Sequence, residues 1–473
     1  GRGDPIGARP WYPPANVSPG PLPRALDRPR PAVLVLSDGV VFTGWAAGAN
    51  TVVEGEVVFN TSMTGYQEML TDPSYHGQIL TLTTSHVGEV GVNGFDAESG
   101  RIWARALVVQ DLDLQASNWR AEDGVEAWLA EHGVAVGWGF DTRALVRHIR
   151  TAGAVPGVLA TDGSTPESLL ERARAARGTD GLDLTREVAT REPYTWSDGI
   201  WHSPSHPGPA SGPADGLEVA VFDYGVKRSI LRRLVHEGFR VRVVPPDTDP
   251  AALLADGIAG VVLSNGPGDP AAVPGAADTV ERFVGRVPIL GICMGCQLLG
   301  LALGGRTVKL PFGHHGGNHP VRDLASGRVL ITAQNHNYAV EESSLPREVQ
   351  VTLINLTDGT LEGLALHFDS ASDLPRKRDT CEQLLHEAST LAAEIGWQRR
   401  HGVEIGWEQL AIRPTPQRPE HLVQLNRAGD VVLLSAPLLN AVPAILEELK
   451  PWLRARSEGA AARLELEGAD FGW

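Results

Sequence analysis

The sequence predicts an α/β protein with a β-rich N-terminal domain, a second α/β domain with a mostly parallel sheet, and an unassigned α+β tail. Short β-rich runs separated by Gly and Asp turns begin at Ala32. From Leu217 strands and helices alternate, which is typical of a parallel sheet with helices on both faces. Residues 367–473 contain helical and strand-like runs that follow neither of these two patterns, so we assign this tail no fold.

Pro and Gly mark the limits of these regions. Residues 1–31 are so rich in both that neither a helix nor a strand ladder can continue, and we expect a disordered leader. Residues 197–216 are again rich in Pro, Gly and Ser, which is typical of a linker. The predicted domains therefore span 32–196 and 217–366, followed by the tail at 367–473.

Charge and cysteine usage limit the possible functions. The 473 residues include 41 Lys and Arg against 57 Asp and Glu, and this net charge of -16 disfavours binding to nucleic acid or an anionic membrane. No apolar run is long enough to span a membrane, and the start lacks a secretory pattern. The chain has 3 cysteines, Cys293, Cys296 and Cys381. They are too few for a disulfide framework in a chain of this length. We expect a cytoplasmic protein with a small-molecule or protein partner.

Each predicted element follows from a local pattern. The first domain begins with the strands AVLVLSDGVVF and EVVFN and closes with the helices TRALVRHIR and PESLLERARAAR. In the second domain the strands LEVAVFD, FRVRVV, GIAGVVLSN and VPILGI alternate with helical segments. Reactive groups of such sheets lie at the carboxyl ends of the strands. The strand ends to consider are FDYG (222–225), SNGPGDP (264–270) and GICMGCQ (291–297).

Cys293 has the surroundings of a nucleophile at a strand-to-helix elbow. Gly291 and Gly295 allow a sharp turn that would project its side chain from the end of the strand VPILGI. The start of a helix favours a thiolate, the form of cysteine that attacks a carbonyl carbon. The alternative is a small buried apolar residue, the commonest fate of a free cysteine. The short motif alone leaves both interpretations open.

Further motifs identify a resemblance. GICMG follows SNGPGDP and precedes FGHHGGNHP and ITAQNHNYAV, in the order found in class I glutamine amidotransferases. GEVVFNTSMTGYQEMLTDPSYHGQILTLT (55–83), together with GFDTRALVRHIR (139–150), is similar to the first domain of the carbamoyl-phosphate synthetase small subunit. Over residues 31–366 the chain therefore resembles that family. The resemblance implies a class I amidotransferase-type α/β domain after a β-rich domain that docks on a large subunit.

The resemblance also implies roles for individual residues. It makes Cys293 the residue that forms a γ-glutamyl thioester. It assigns glutamine binding to Ser74, Gly266, Gly268, Met294, Gln297, Asn335, Asn337 and Tyr338. These types suit the task, because bare glycine backbone can approach an amide and main-chain N–H groups can stabilise an oxyanion. For the two glycines a turn role remains open, since NGPGDP is also a good turn sequence.

The implied function is to release ammonia from L-glutamine for a large subunit that makes carbamoyl phosphate for arginine and pyrimidine biosynthesis. No cofactor is expected in this chain, and ATP and Mg are expected on the large subunit of this ligase complex. The chain lacks a Gly-rich Lys-Ser/Thr phosphate loop. We predict no metal site, because the histidines of GHHGGNH lack ligand spacing and fit a loop.

Cys296 departs from the family, where the residue at this position is usually His. The Cys293-Met-Gly-Cys296 spacing is that of a dithiol redox motif. Because the surrounding amidotransferase motifs are intact, an internal disulfide that reversibly inactivates the site is a better interpretation than redox catalysis.

A second departure affects the chemistry. Class I amidotransferases take a proton-shuttling His and its orienting Glu from a His-Pro-Glu motif, expected near residue 377. The sequence there is DLPRKRDTC (373–381), and no His-Pro-Glu follows. His386 and Glu387 lie in an amphipathic helical pattern and are predicted to be ordinary helix surface. We therefore expect weak glutamine hydrolysis, and the alternative function is a non-catalytic glutamine-binding or docking subunit. The tail could be a fused module, a lineage-specific replacement or the product of a disrupted gene.

Overall fold

The computed structural model describes residues 30–200 and 216–366, which form two compact units. The first unit contains residues 30–71 and Tyr75–Thr179, and the second contains Asp72–Ser74 with the described residues from Asp180 onward. Most of the predicted leader and linker and all of the tail, including His386 and Glu387, lie outside the described residues. Among the described helices, none is long and apolar enough to cross a membrane.

Seven strands close into a barrel in the first unit, in the order β1-β2-β6-β5-β4-β3-β7. They are β1 (Arg30–Leu36), β2 (Val41–Gly48), β3 (Val52–Asn60), β4 (Gln78–Leu82), β5 (Ala106–Val108), β6 (Ala135–Trp138) and β7 (Val155–Ala160). Four consecutive barrel strands, β3 to β6, pair in parallel, and the other pairs are antiparallel. Apolar side chains such as Val58, Leu80 and Val136 pack together inside this unit. The predicted β-rich domain is confirmed.

Four α-helices belong to the first unit: α1 (Tyr66–Thr71), α2 (Val125–Glu131), α3 (Thr142–Ala152) and α4 (Pro166–Ala175). Helix α3 begins where the Asp141 carboxylate accepts a hydrogen bond from the Ala144 N–H, and it buries Leu145 and Ile149 one turn apart. Helix α4 begins with Pro166, whose fixed φ suits the first helical position. Both helices were predicted from their apolar spacing.

The second unit contains a five-stranded sheet in the order β12-β11-β9-β10-β8. Its strands are β8 (Tyr194–Trp196), β9 (Glu218–Phe222), β10 (Arg240–Val244), β11 (Gly260–Leu263) and β12 (Ile289–Gly291). The helices are α5 (Thr185–Val188), α6 (Arg228–His236), α7 (Pro250–Ala255), α8 (Ala276–Glu281) and α9 (Met294–Ala302). Val219 and Val221 of β9 pack with α6, whereas Ala220 and Phe222 pack with α8 and α9. The predicted alternation of strands and helices is therefore present, with apolar layers on both faces.

Strand β8 lies in a different unit from the one that the sequence suggested. The predicted first domain ended at residue 196, but β8 pairs antiparallel with β10, Tyr194 lying opposite Val243. An extended segment needs partners for its N–H and C=O groups, and the free edge of β10 supplies them. The Pro- and Gly-rich segment that follows marks the end of a strand and not the boundary between the units.

A four-stranded antiparallel sheet completes the second unit, in the order β14-β13-β15-β16. Its strands are β13 (Thr307–Asp323), β14 (Val329–Val340), β15 (Gln350–Asn355) and β16 (Leu361–Ala365). Three short 3-10 helices are also present, at Pro73–Tyr75, Pro270–Ala272 and Glu342–Ser344. The GHHGGNH segment, expected to be a loop, lies within β13. Its pairing with β14 is interrupted by two irregularities, as expected for a Gly-rich sequence with weak strand propensity.

Candidate functional site

Cys293 lies at a sharp turn between β12 and α9. It is the one non-glycine residue with positive φ among the described residues, at φ 53° and ψ −107°. A Cβ atom on Gly291 would lie 2.7 Å from the Gly295 carbonyl carbon, and one on Gly295 would lie 2.1 Å from the Leu263 oxygen. Neither position can take a larger residue without moving backbone. The glycine spacing therefore corresponds to a strained elbow, and strain of this kind is typical of functional sites.

Two main-chain donors point to the Cys293 sulfur. The N–H groups of Met294 and Gly266 hydrogen-bond to the sulfur, and the thiol itself donates to the Asn335 carbonyl oxygen at 3.3 Å. Gly266 can approach this closely because it has no side chain, since a Cβ atom there would lie 2.3 Å from the Tyr224 carbonyl oxygen. A pair of N–H groups beside a nucleophile is the arrangement that stabilises an oxyanion.

The thiol of Cys293 is protonated at neutral pH. The side chain keeps part of its surface exposed, yet burial of the sulfur raises its pKa to about 12, and the Asp72 carboxylate adds to this effect. The two N–H groups and the Lys227 ammonium act in the opposite direction but do not outweigh burial. The thiolate expected from the helix start is therefore wrong for this state of the protein. Among the described residues, no histidine hydrogen-bonds to the sulfur.

Asp72 connects several segments around this sulfur. Its carboxylate accepts hydrogen bonds from the Ser74 N–H at 2.9 Å, the Asn265 amide at 3.3 Å and the Asn335 amide at 3.2 Å. Lys227 Nζ lies 3.9 Å from the same carboxylate. The Asn265 amide also donates to the Ser74 hydroxyl at 2.9 Å. Sequence reasoning missed Asp72, Asn265 and Lys227, although Asp72 and Asn265 are close neighbours of predicted site residues in DPSY and SNGPG.

Gly268 lies at a turn that requires glycine. Its φ is +90°, and a Cβ atom there would lie 2.5 Å from the Leu182 carbonyl oxygen. Gly268 also forms an isolated antiparallel bridge with Asp183. The sequence left open whether Gly268 serves a turn, and the structure shows that it does. A role in binding glutamine stays a prediction.

Gln297 and Tyr338 are held by hydrogen bonds to each other and to a carboxylate. The Gln297 side-chain amide donates to the Tyr338 carbonyl oxygen at 2.6 Å. The buried Tyr338 hydroxyl donates to Asp180 at 2.9 Å. These hydrogen bonds fix the orientation of both side chains, and side chains fixed in this way lose little freedom on binding.

His315 links the remaining two predicted residues. Its Nδ1 lies 2.8 Å from Asn335 Oδ1, and its Nε2 lies 3.0 Å from Asn337 Oδ1. Burial lowers the pKa of His315 to about 4, so the ring is neutral and carries one N–H. One ring nitrogen donates to an amide oxygen, and the other requires an amide N–H from its partner asparagine. Sequence reasoning had placed this histidine in a loop and missed its role.

Comparisons with known proteins agree with this geometry. Residues 34–159 match the family model of the carbamoyl-phosphate synthase small chain, CPSase domain, and residues 220–369 match that of class-I glutamine amidotransferase. The carbamoyl phosphate synthase small chain of Pseudomonas aeruginosa is 48% identical over 339 residues, covering 71% of this chain and 89% of the relative. That of Yersinia pestis is 49% identical over 336 residues, covering 70% and 86%. The chain belongs to the carbamoyl phosphate synthase small chain family.

The predicted family and fold class are thereby confirmed. A glutamine amidotransferase of known structure from Thermotoga maritima aligns over 51% of this chain and 97% of its own, at 14% identity and a TM-score of 0.27.

Cys296 lies in α9, three residues after Cys293. Its side chain is 7% exposed and packs in the apolar cluster that contains Phe222 and Leu299. Cys293 instead borders the cluster that contains Val221 and Ile292. Both cysteines are free thiols. The packing of Cys296 favours a structural role as a small apolar residue, and a disulfide between the two stays a prediction.

The antiparallel sheet of this small chain assembles a second polar cluster. His314, His336 and Glu362 come from three different strands, and one potential ligand atom of each lies within 4.8 Å of the others. Sequence spacing predicted no metal set, because ligands from separate strands have no fixed spacing along the chain. Of the described residues, these three are the group that could hold a metal ion.

Proposed function

We propose that this chain is the glutamine-hydrolysing subunit of a carbamoyl phosphate synthase, with Cys293 as the nucleophile. The observation that carries the proposal is the elbow itself. A cysteine with positive φ at the end of a parallel strand receives N–H groups from Met294 and Gly266 at its sulfur. Membership of the small-chain family, together with the match to a glutamine amidotransferase domain, supports glutamine as the substrate.

The proposed reaction has two stages. In the first, Cys293 loses its proton, its sulfur bonds to the side-chain amide carbon of glutamine, and the amide oxygen becomes an oxyanion beside the two N–H groups. The carbon–nitrogen bond then breaks, and the nitrogen takes a proton and leaves as ammonia. In the second stage water attacks the thioester, which releases glutamate and restores the thiol.

The residues proposed to hold glutamine surround the elbow within the second unit. The Cys293 thiol donates to the Asn335 carbonyl oxygen, and the Asp72 carboxylate accepts hydrogen bonds from both Asn335 and Ser74. Gln297 donates to the Tyr338 carbonyl oxygen. Gly266 lies at the sulfur. These contacts support the proposed glutamine set, which also includes Gly268, Met294 and Asn337.

The state of the thiol predicts slow turnover. At pH 7 a thiol with a pKa of about 12 is ionised in only about one molecule in 10⁵. A general base would correct this, and general acid-base help is worth about a hundred- to ten-thousand-fold in rate. Because no His-Pro-Glu follows residue 359, that help has no recognisable source in the sequence. We therefore propose weak hydrolysis, in which attack of the sulfur on the amide carbon is less affected by a missing acid than the carbon–nitrogen cleavage that releases ammonia and forms the thioester.

A second candidate is a non-catalytic subunit that binds glutamine or docks on the synthetase. The hydrogen bond from the Cys293 thiol to the Asn335 carbonyl favours it, because a thiol that donates to a carbonyl keeps its proton, whereas the thiolate is the reactive form. In either case ammonia-dependent synthesis belongs to a large subunit, which we propose uses ATP, Mg and bicarbonate and docks through the domain predicted at 32–196.

The test combines the full chain with a large carbamoyl phosphate synthase subunit. Glutamate release and carbamoyl phosphate synthesis would be measured with glutamine and, separately, with ammonia. Cys293→Ser should abolish the glutamine-dependent rates and leave the ammonia-dependent rate intact, while Cys381→Ser, the matched thiol control, should change neither. Glutamate release that persists in Cys293→Ser would refute the nucleophile. Saturable glutamine binding without any release by the wild type would support the second candidate.

A further inference from the structure

The cluster of His314, His336 and Glu362 has closely spaced ligand atoms. His314 Nδ1 lies 2.9 Å from Glu362 Oε1, and His336 Nε2 lies 3.2 Å from Glu362 Oε2. The rings of the two histidines are 5.0 Å apart between centroids and nearly perpendicular. His314 and Glu362 are buried. Two imidazoles therefore direct one nitrogen each to the two oxygens of a single buried carboxylate.

The ring nitrogens on the opposite side of each histidine lie beside oxygen acceptors. His314 Nε2 lies 2.8 Å from the Asp358 carboxylate, and His336 Nδ1 lies 2.8 Å from the Tyr338 carbonyl oxygen. Each of these oxygens accepts an N–H, so a neutral ring keeps its lone pair at the other nitrogen. Histidines that bind metals usually donate their second N–H to a carboxylate or a backbone carbonyl in this way.

The centre of the cluster contains a buried ring nitrogen that lacks a hydrogen bond. The Asn355 amide donates to Glu362 Oε1 at 2.8 Å and lies 3.3 Å from His314 Nδ1. His336 Nε2 is buried and has no hydrogen-bond partner of acceptable geometry, although a carboxylate oxygen is 3.2 Å away. A cation bound among these atoms would give the His336 nitrogen and the Glu362 carboxylate a common partner.

The fold explains how these side chains meet. His314 and His336 are directly opposite each other in the β13–β14 pairing, so their side chains lie on the same face. The pairing is irregular between Lys309 and His314 and again between Gly316 and His319, and irregularities of this kind bend a strand. Glu362 comes from β16 at the far side of the sheet order.

We propose that His314 Nδ1, His336 Nε2 and the Glu362 carboxylate form a binding site for a divalent transition-metal ion of the zinc type. Two imidazoles and one carboxylate are a known zinc ligand set, whereas magnesium and calcium bind oxygen ligands in preference to imidazole. The ion would join β13, β14 and β16. It would thereby hold the strand that carries Asn335 and Tyr338, independently of whether Cys293 hydrolyses glutamine.

Metal content of the full chain tests the proposal. The purified protein would be stripped with a chelator, titrated with Zn²⁺ and analysed for bound metal, with Co²⁺ as a spectroscopic probe of tetrahedral nitrogen and oxygen ligands. We expect about one ion per chain in the wild type. His336→Gln and Glu362→Gln should lose more than about a hundredfold in affinity, and Asp358→Asn, which removes the carboxylate beside His314 Nε2, about ten- to a hundredfold. His132→Asn, at an exposed histidine, is the matched control and should bind as the wild type does.

Thermal unfolding provides the second readout. Zn²⁺ should raise the Tm of the wild type and of His132→Asn, because an ion bound only to the folded state stabilises it. It should not raise the Tm of His336→Gln. If Glu362→Gln fails to fold, Zn²⁺ binding would be compared between the wild type and Asp358→Asn. Asp358 is partly exposed, so its substitution should leave the fold intact. A folded wild type that binds no Zn²⁺, or equal affinity in folded wild type, His336→Gln and Asp358→Asn, would overturn the proposal.

Discussion

The Cys293 elbow and the β13–β14 hairpin build polar sites in different ways. At the elbow, Gly291, Cys293 and Gly295 are close in sequence, and backbone contacts hold the turn. In the hairpin, His314 and His315 are adjacent residues that serve opposite faces, because successive side chains of a strand alternate. A local motif therefore suffices for the first site, whereas the second depends on strand register.

Substitution of Gly295 should have the largest effect of this comparison, because a Cβ atom would meet backbone. Gly295→Ala would place that atom 2.1 Å from the Leu263 carbonyl oxygen, and backbone cannot yield as a side chain does. We expect a loss of about 3 kcal/mol in the free energy of unfolding. Thermal or urea unfolding would measure it. Gly94→Ala, whose nearest neighbour would be a side-chain oxygen 3.8 Å away, should be close to neutral; equal losses in the two variants would contradict the backbone argument.

The reactivity of Cys293 should rise steeply with pH. Its pKa is raised to about 12, so below that value the thiolate fraction, and with it the alkylation rate, increases about tenfold per pH unit. Between pH 7 and pH 9 we expect an increase of about a hundredfold. Alkylation of the full chain by iodoacetamide, mapped to Cys293 by peptide mass, would measure it. A rate that levels off before pH 8 would indicate the activated thiolate that the helix start alone suggested.

Gly313→Ala tests the hairpin, where the added Cβ atom would meet side chains and not backbone. Gly313 has φ +69°, and a Cβ atom there would lie 2.4 Å from His315 Nε2 and 2.5 Å from Asn337 Oδ1. Because these are ends of side chains, they can move, and we expect a loss of about 1–2 kcal/mol in the free energy of unfolding. The same unfolding series would measure it. A loss larger than that of Gly295→Ala would mean that the hairpin tolerates an added side-chain atom less well than the elbow does, contrary to this prediction.

Asp72→Asn should have the smallest of these effects, and it should increase the reactivity of Cys293. The Asp72 carboxylate raises the pKa of the Cys293 thiol, and removing its charge also frees Lys227 to favour the thiolate. Alkylation of Cys293 at pH 8 should become several-fold faster, with unchanged alkylation of Cys381 as the internal control. A slower rate would mean that Asp72 acts mainly by holding Asn335 and Asn265, and not through its charge.

Strong local patterns made the elbow and the alternating strands predictable. The apolar run VPILGI ends at Gly291, and glycines on either side of Cys293 allow one sharp turn, so both features depend on residues close in sequence. The helices α3 and α4 followed from their apolar spacing for the same reason. The family resemblance over 31–366 rested on motifs of this local kind.

Contacts between distant segments decided what the sequence could not. The loop expected at GHHGGNH became part of β13 because β14 pairs with it, and β8 joined the second unit because β10 had a free edge. Burial reversed the expected ionisation of Cys293, since desolvation depends on neighbours brought by the whole fold.

The amino-acid sequence by itself determined the family, the order of strands and helices in the second domain, and the cysteine at the elbow. Only the tertiary structure decided that Asp72 reaches Asn335, that His315 links two asparagines, and that Glu362 meets two histidines. The physical reason is the range of the interactions. Turn and helix preferences act within a few residues, whereas a carboxylate or imidazole gains its partner and its pKa from strands that the register brings together.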